Sequence, residues 1–488
     1  MFSNIRKWLA EHRYFSFVIA ACTIFIVFCG FAIKFEYLQA PYIVLAIIGG
    51  YILLVHTEFF FYITCLIIPF SVELREFVPS LGASISIPSE FMLIALSFLF
   101  LGKILVNNDY PKEIGKHCIS GLFYFYFFWL LLTSITSTMP LVSFKFLAAK
   151  LWFIISAYFF FAQLLKKDIH KAANMLLCYA IGLAIVVGIT TYKHVMLGDV
   201  RKVAYWVMSP FYNDHTAYGA ILALFSPILA LLPFVKALPK WQKILSIVLL
   251  FPILLGLYLS FSRAAWLSVI LAIFLGVILL LKIRFRTLFC TAIIIVTIGF
   301  TFQEELLRSL SKNDSESSTT NSVVEKLQSI SNISTDASNV ERLNRWFSAI
   351  DMFKEKPIFG FGPGTYQFNY APYQKPAYRT IITTNAGTGG NAHSEFLGPL
   401  SESGIMGMLI IVVLIFLVIS KGLRVYKNTQ SNSLKIFSLM AVLSLTSYFF
   451  HGILNNFLDT EKLAIPVFGL IAIVAICDIV YQKEKKEI

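Results

Sequence analysis

Charge is scarce in this sequence. Only 14% of its 488 residues are Asp, Glu, Lys or Arg, against 58% apolar and 16% aromatic, and the mean hydropathy is +0.75. No soluble globule of this length has such a composition. A Walker A pattern is missing, as is an Asp-x-Asp metal motif, so ATP-driven transport and nucleotide-sugar chemistry lose their usual parts. Internal repeats of the kind that mark secondary transporters are not visible. No small-residue cleavage site follows the first apolar run, so that run is expected to stay as an anchor. The seven cysteines (Cys22, Cys29, Cys65, Cys118, Cys178, Cys290 and Cys477) lie in or beside apolar runs. They read as small buried hydrophobes rather than disulfides or metal ligands.

Apolar length is what the chain has instead. Runs near residues 15–33, 38–55, 58–72, 89–105, 118–136, 144–165, 172–193, 217–235, 243–260, 264–281, 287–302, 403–420, 434–453 and 461–481 approach the length that crosses a bilayer as helix. Two of them, 58–72 and 287–302, are short. The expectation is therefore an all-α polytopic membrane protein with 12–14 transmembrane helices. Lysines and arginines recur in every second loop, from Lys103, Lys112 and Lys116 to Lys483, Lys485 and Lys486. By the positive-inside rule those loops and both termini are cytoplasmic. The net charge of +13 is then mostly topology, with no need for a nucleic-acid partner. The organisation read from this is eleven helices over 1–302, a large outward loop over 303–402 with short helices, three last helices over 403–481 and a cytoplasmic tail at 482–488.

Within the outward loop, residues 311–339 are rich in Ser, Thr and Asn and read as a flexible linker. Leu343, Trp346, Phe347, Ile350 and Phe353 then recur at helical spacing, which predicts an amphipathic helix over about 341–354, stopped by Pro357 and Gly360. Arg342 borders that stripe, while Arg345 is expected to point toward water. An arginine at such an edge either presents its planar fork to a phosphate at headgroup depth or simply snorkels.

Arg263 lies in Leu259-Ser-Phe-Ser-Arg-Ala-Ala-Trp266, between two spans placed back to back at the outward surface. An ionisable residue in such a junction marks a functional site or anchors beside Trp266. Arg201 and Lys202 open another outward loop, which ends in Asn213-Asp214-His215 before a span. Helix capping accounts for Asp214 but not for His215. Gly362 and Gly364, in Gly360-Phe-Gly-Pro-Gly364, either approach a phosphate through backbone N–H groups or reverse the chain. His393, in a Gly/Asn-rich context just before a span, is the sharpest candidate for a general base, with Glu395 as a group to orient it.

Taken together, Ser-Arg-Ala-Ala-Trp around Arg263, the Arg342-x-x-x-Trp346 helix with its glycine turn, and Ala392-His-Ser-Glu-Phe-Leu followed by Glu402-x-Gly-x-x-Gly407 resemble the O-antigen ligase/O-antigen polymerase superfamily of bacterial membrane proteins. The resemblance covers roughly residues 198–420. It implies glycan transfer from an undecaprenyl-diphosphate carrier to an acceptor, the sugar core of lipid A in a ligase, at the periplasmic face of the inner membrane. No cofactor or metal is implied. Carried onto this chain, the resemblance implies that Arg263 and Arg342 would hold the donor diphosphate, that His393 would be the base or the group that orients the acceptor, and that Arg201 would be a further basic contact. His215, Arg345, Gly362, Gly364 and Glu395, read from their own positions, complete the candidate substrate contacts. Many members have Asn after the histidine, where this chain has Ser394. Polymerase, protein O-glycosyltransferase and, from another class, a polysaccharide transporter or flippase remain as alternatives. Functional charges at the outward surface favour a transferase, and a polar track at mid-membrane depth favours transport.

Overall fold

A computed structural model describes residues 40–76, 85–107, 111–198, 200–283, 337–380, 383 and 390–487. The expected spans at 15–33 and 287–302, and all of the 311–339 linker before Ala337, lie outside the described residues. Contacts divide the chain into residues 1–63 and 64–488. The first unit contributes α1 (Ala40–Val55) and the start of α2 (Thr57–Ile67). Everything below concerns the second.

That unit is helical throughout, apart from one antiparallel two-residue pairing in which Val72 faces Ile87 and Glu73 faces Ser86. Its long helices are α3 (Ser89–Asn107), α4 (Cys118–Ile135), α5 (Pro140–Lys167), α6 (Lys171–Leu197), α7 (His215–Leu231), α8 (Lys240–Leu259), α9 (Arg263–Leu280), α10 (Ala337–Glu355), α11 (Leu397–Asn428), α12 (Asn432–His451) and α13 (Glu461–Glu487). All but α10 are long and apolar enough to cross a membrane, which makes ten among the described residues. The protein is an all-α polytopic membrane protein.

Apolar side chains serve two surfaces here. The 18-residue apolar window of α13 is 94% buried inside the protein and that of α12 is 72% buried, whereas α9 buries only 22% of its window. Helix α13 is apolar all round and so forms the axis of the bundle, packed by α5, α11 and α12. The outer helices present large apolar groups such as Phe98, Leu105, Phe251, Ile270 and Phe416 to the surroundings. In water such a surface would be unfavourable by about 25 cal/mol per Å2; in lipid it is satisfied.

The two ends of the bundle differ chemically. At one end Glu113 pairs with Lys166 and Lys483, and buried Asp478 with His117, Lys421 and Arg424. The other end gathers the first turns of α7, α9, α11 and α13, the last turn of α12, and α10. Helix α10 begins at Ala337, four residues earlier than expected, and so takes up the end of the linker. Helix α11 begins at Leu397 and is broken at Gly404 (φ 69°, ψ −168°). A Cβ there would stand 2.0 Å from the Ile358 carbonyl oxygen, so only glycine lets the Pro357–Gly360 turn dock.

Candidate active site at the α7, α9, α10 and α12 ends

Local capping sets the first two functional groups. Asp214 caps α7, its Oδ1 accepting from the Thr216 and Ala217 N–H groups, both at 2.7 Å. That leaves His215 in the first turn, edge-on to Tyr205 at 4.8 Å between ring centroids. The α8–α9 hairpin turns tightly through Ser260, Phe261 and Ser262, with Phe261 in the left-handed region (φ 50°). Trp266 locks it by donating its indole N–H to the Leu257 carbonyl at 2.7 Å. Arg263, the first residue of α9, is held half-buried at the mouth of this junction.

Helix α10 brings in the second arginine. Its period is as the sequence predicts, but the face opposite the apolar stripe does not meet water. The buried residues are Glu341, Asn344, Arg345, Ser348, Ala349 and Met352. Leu343, Trp346 and Ile350 are half-buried and Phe347 is exposed. Arg345 therefore departs from the expected outward orientation. It is 4% exposed, donates from Nε to Glu341 Oε1 at 2.8 Å and from Nη1 to the Asn391 carbonyl at 3.1 Å, and lies over the Tyr370 ring. Glu341, one turn earlier, makes this burial tolerable by neutralising the guanidinium. Arg342 stays half-buried on the adjoining side, with Nη1 donating to Asn339 Oδ1 at 3.2 Å.

His393 occupies a strained position. Its φ of 47° is unusual for a residue with a side chain. The surrounding bonds fix it: its N–H donates to Asn391 Oδ1 at 3.0 Å, and its carbonyl accepts from the Trp346 indole at 3.2 Å. Asn455, in the turn after α12, is the hydrogen-bond neighbour of the ring.

These elements converge on one another electrostatically. Arg342 and Asp214 both act on the imidazoles of His215, His393 and His451. Arg263 acts on His215, and Arg345 on His393. Desolvation, then the Arg345 and Arg342 charges, push His393 down from 6.5 to about 3, against weaker opposition from Asp214 and Asn455. Its imidazole is therefore neutral, with a lone pair to offer, at any physiological pH. Half-buried Arg342, acting on the neutral His393 imidazole, and half-buried Arg263, acting on neighbouring His215, are groups that can hold an anionic leaving group while the imidazole accepts a proton from a hydroxyl.

Three other candidates fall elsewhere. Glu395 does not orient His393. Its Oε1 accepts from the Tyr448 hydroxyl at 2.5 Å and from the Phe457 and Leu458 N–H groups at 2.6 and 3.0 Å, clamping the α12–α13 turn. Burial, with Asp459 nearby, raises its carboxyl above the usual range. Gly362 and Gly364 do not offer their N–H groups to a phosphate: Gly362 donates to the Glu402 carbonyl at 2.8 Å, and Gly364 to the Glu402 carboxylate. A Cβ on Gly362 (φ 115°) would stand 1.9 Å from Ser137 Oγ, so the patch is a docked chain reversal. The side chain of Arg201 lies outside the described residues.

Two residues of the site escape a reading along the chain. His451 ends α12 and is 1% exposed, with neither ring nitrogen hydrogen-bonded among the described residues. Asn455 is 2% exposed, and its Nδ2 is likewise unbonded among them. The available signal is a polar His-Gly-x-x-Asn-Asn segment at the end of an apolar run. Buried Lys150 donates to the Leu458 carbonyl at 2.6 Å and pairs with Asp459 at 2.9 Å.

Residues 245–412 match a family model described as O-Antigen ligase. That segment contains Arg263, Arg342 and His393. An uncharacterized protein of Haemophilus influenzae is 26% identical over 272 residues, which cover 53% of this chain and 63% of that relative.

Proposed function

We propose that the chain, which matches an O-antigen ligase family model over residues 245–412, is a member of the O-antigen ligase superfamily that transfers a glycan from an undecaprenyl-diphosphate carrier onto the sugar core of lipid A at the periplasmic face of a bacterial inner membrane. The observation that carries this reading is that Arg342 acts on both His215 and the neutral imidazole of His393, while Arg263 acts on His215, at one end of the bundle. The distribution of lysines, read by the positive-inside rule, supports an outward-facing position for that end.

In the proposed reaction an acceptor hydroxyl oxygen forms a bond to the anomeric carbon of the donor glycan, and the bond from that carbon to the carrier diphosphate breaks. His393 takes the hydroxyl proton. The electron pair of the broken bond leaves with the diphosphate, whose added charge Arg263 and Arg342 stabilise. Fixed guanidinium groups in a partly dehydrated site act more strongly than the same groups in water. The energy is stored in the donor, so the reaction calls for no nucleotide.

The test is reconstitution. Protein purified in detergent, given carrier-linked glycan and lipid A-core, should form the joined product and release carrier diphosphate with a chelator present. Joining of two carrier-linked glycans in place of transfer to the core would reassign the acceptor. Loss of turnover in chelator, restored by magnesium or manganese, would remove the arginines from their proposed role.

A further inference from the structure

The opposite end of the bundle carries a second organised feature, independent of glycan transfer. A cavity of about 440 Å3 opens between the start of α4, the C-terminal part of α11 and the end of α13. Lys116, Lys421, Lys483 and Lys486 line it, with Glu113 the one carboxylate in the lining. Glu113 is already engaged by Lys483 at 2.8 Å and Lys166 at 3.1 Å. The lining therefore keeps a surplus of positive charge.

Its wall is built rather than incidental. Asp478 is fully buried and collects donors from three helices. His117 Nε2 donates to it at 3.2 Å, Gln482 Nε2 at 2.7 Å and Lys421 Nζ at 3.4 Å, and Arg424 pairs with it as well. His117 also caps α4, its Nδ1 accepting from the Ile119 N–H at 3.4 Å. One imidazole thus ties the positive end of an 18-residue helix to the same buried carboxylate. Fixing these donors in advance lowers the cost of ordering them around an anion.

The depth of the cavity selects the kind of anion. Cys118 and Ile479, which also line it, belong to α4 and α13, two helices long enough to cross a membrane. The lysines therefore stand where an apolar span gives way to the headgroup layer. Basic pockets between spans at this depth suit lipid phosphates. We propose that this cavity binds the phosphate headgroup of an anionic phospholipid of the adjoining leaflet.

The test uses the full chain purified in neutral detergent, with thermal unfolding followed against added lipid. Phosphatidylglycerol should raise the midpoint in a saturable way. Phosphatidylcholine and inorganic phosphate at the same phosphate concentration should not. Lys116 and Lys486 anchor neither Asp478 nor Glu113, so the double variant Lys116→Gln/Lys486→Gln should keep the lipid-free midpoint. It should need about tenfold more phosphatidylglycerol, or more, for half the shift. The control Lys240→Gln/Lys427→Gln removes two exposed lysines outside the cavity and should behave as the parent. The proposal is overturned by a shift equally large with inorganic phosphate, by one undiminished in the cavity variant, or by one equally weakened in the control. Absence of any phosphatidylglycerol-dependent shift would overturn it too. None of these outcomes bears on glycan transfer.

Discussion

The indole N–H of Trp346 on α10 donates to the carbonyl oxygen of His393 at 3.2 Å. This bond couples the helix that carries Arg342 to the loop that carries the imidazole. Two residues 47 positions apart are thereby held as one unit, with the arginine charge acting on the ring from a fixed place.

Arg263→Ala and Arg342→Ala should each slow transfer by on the order of 10²–10³-fold, as loss of other fixed electrostatic donors does. Lysine keeps the charge and loses the fork, so Arg→Lys should recover the rate only in part. Initial rates of carrier diphosphate release measure both effects.

Arg345→Ala should act differently. It leaves Glu341 buried without its partner, which typically costs about 3–5 kcal/mol, so the unfolding midpoint should fall markedly. Glu341→Gln combined with Arg345→Met should regain much of that stability. A variant with unchanged midpoint and lost donor binding would instead make Arg345 a substrate contact.

His451 is a polar group buried without a hydrogen-bond partner among the described residues, and such groups lower stability. His451→Leu should therefore leave the unfolding midpoint unchanged or raised, while transfer falls about tenfold or more. Asn455→Leu should lower transfer and spare donor binding, because its neighbour is the His393 ring. Parent-like transfer by both variants would detach the α12 end from the site.

The pH dependence follows from the depressed His393. On sequence grounds alone activity would fall through the usual histidine range, but burial and two arginines move the free protein's acid limb to about pH 3. A bound diphosphate cancels part of the arginine charge and makes the ring a better base. The acid limb of kcat should thus lie at higher pH than that of kcat/KM. Stability has its own sign. The unfolded chain binds a proton on this histidine below about 6.5, and the folded one only near 3. Between those values stability contributed by the neutral ring is lost as pH falls. His393→Asn should flatten that part of the midpoint-against-pH curve.

The spans were legible because apolar length alone decides them, and the α8–α9 junction because Arg263 interrupts two such runs. The inner side of α10 was not. Periodicity places an apolar stripe correctly but cannot say whether the other face meets water or a polar seat, and here Glu341 and Asn391 provide that seat for Arg345. Glu395 is the opposite case: it stands two residues from His393, yet its partners are 53–63 residues away, on α12 and in the α12–α13 turn. His451 and Asn455 reach the site only through tertiary packing, which no local pattern encodes. Ser394 caps the turn into α11 through the Phe396 and Leu397 N–H groups, and the amide beside the imidazole comes from Asn455 instead.

The central claim is that His393 takes the acceptor proton while the arginines hold the donor. The most direct measurement is donor binding and glycan transfer, made separately on detergent-purified His393→Ala of verified fold. The account predicts donor binding close to that of the parent protein with transfer reduced by about 10²–10⁴-fold, the range contributed by a positioned base. Parent-like transfer by His393→Ala would contradict it.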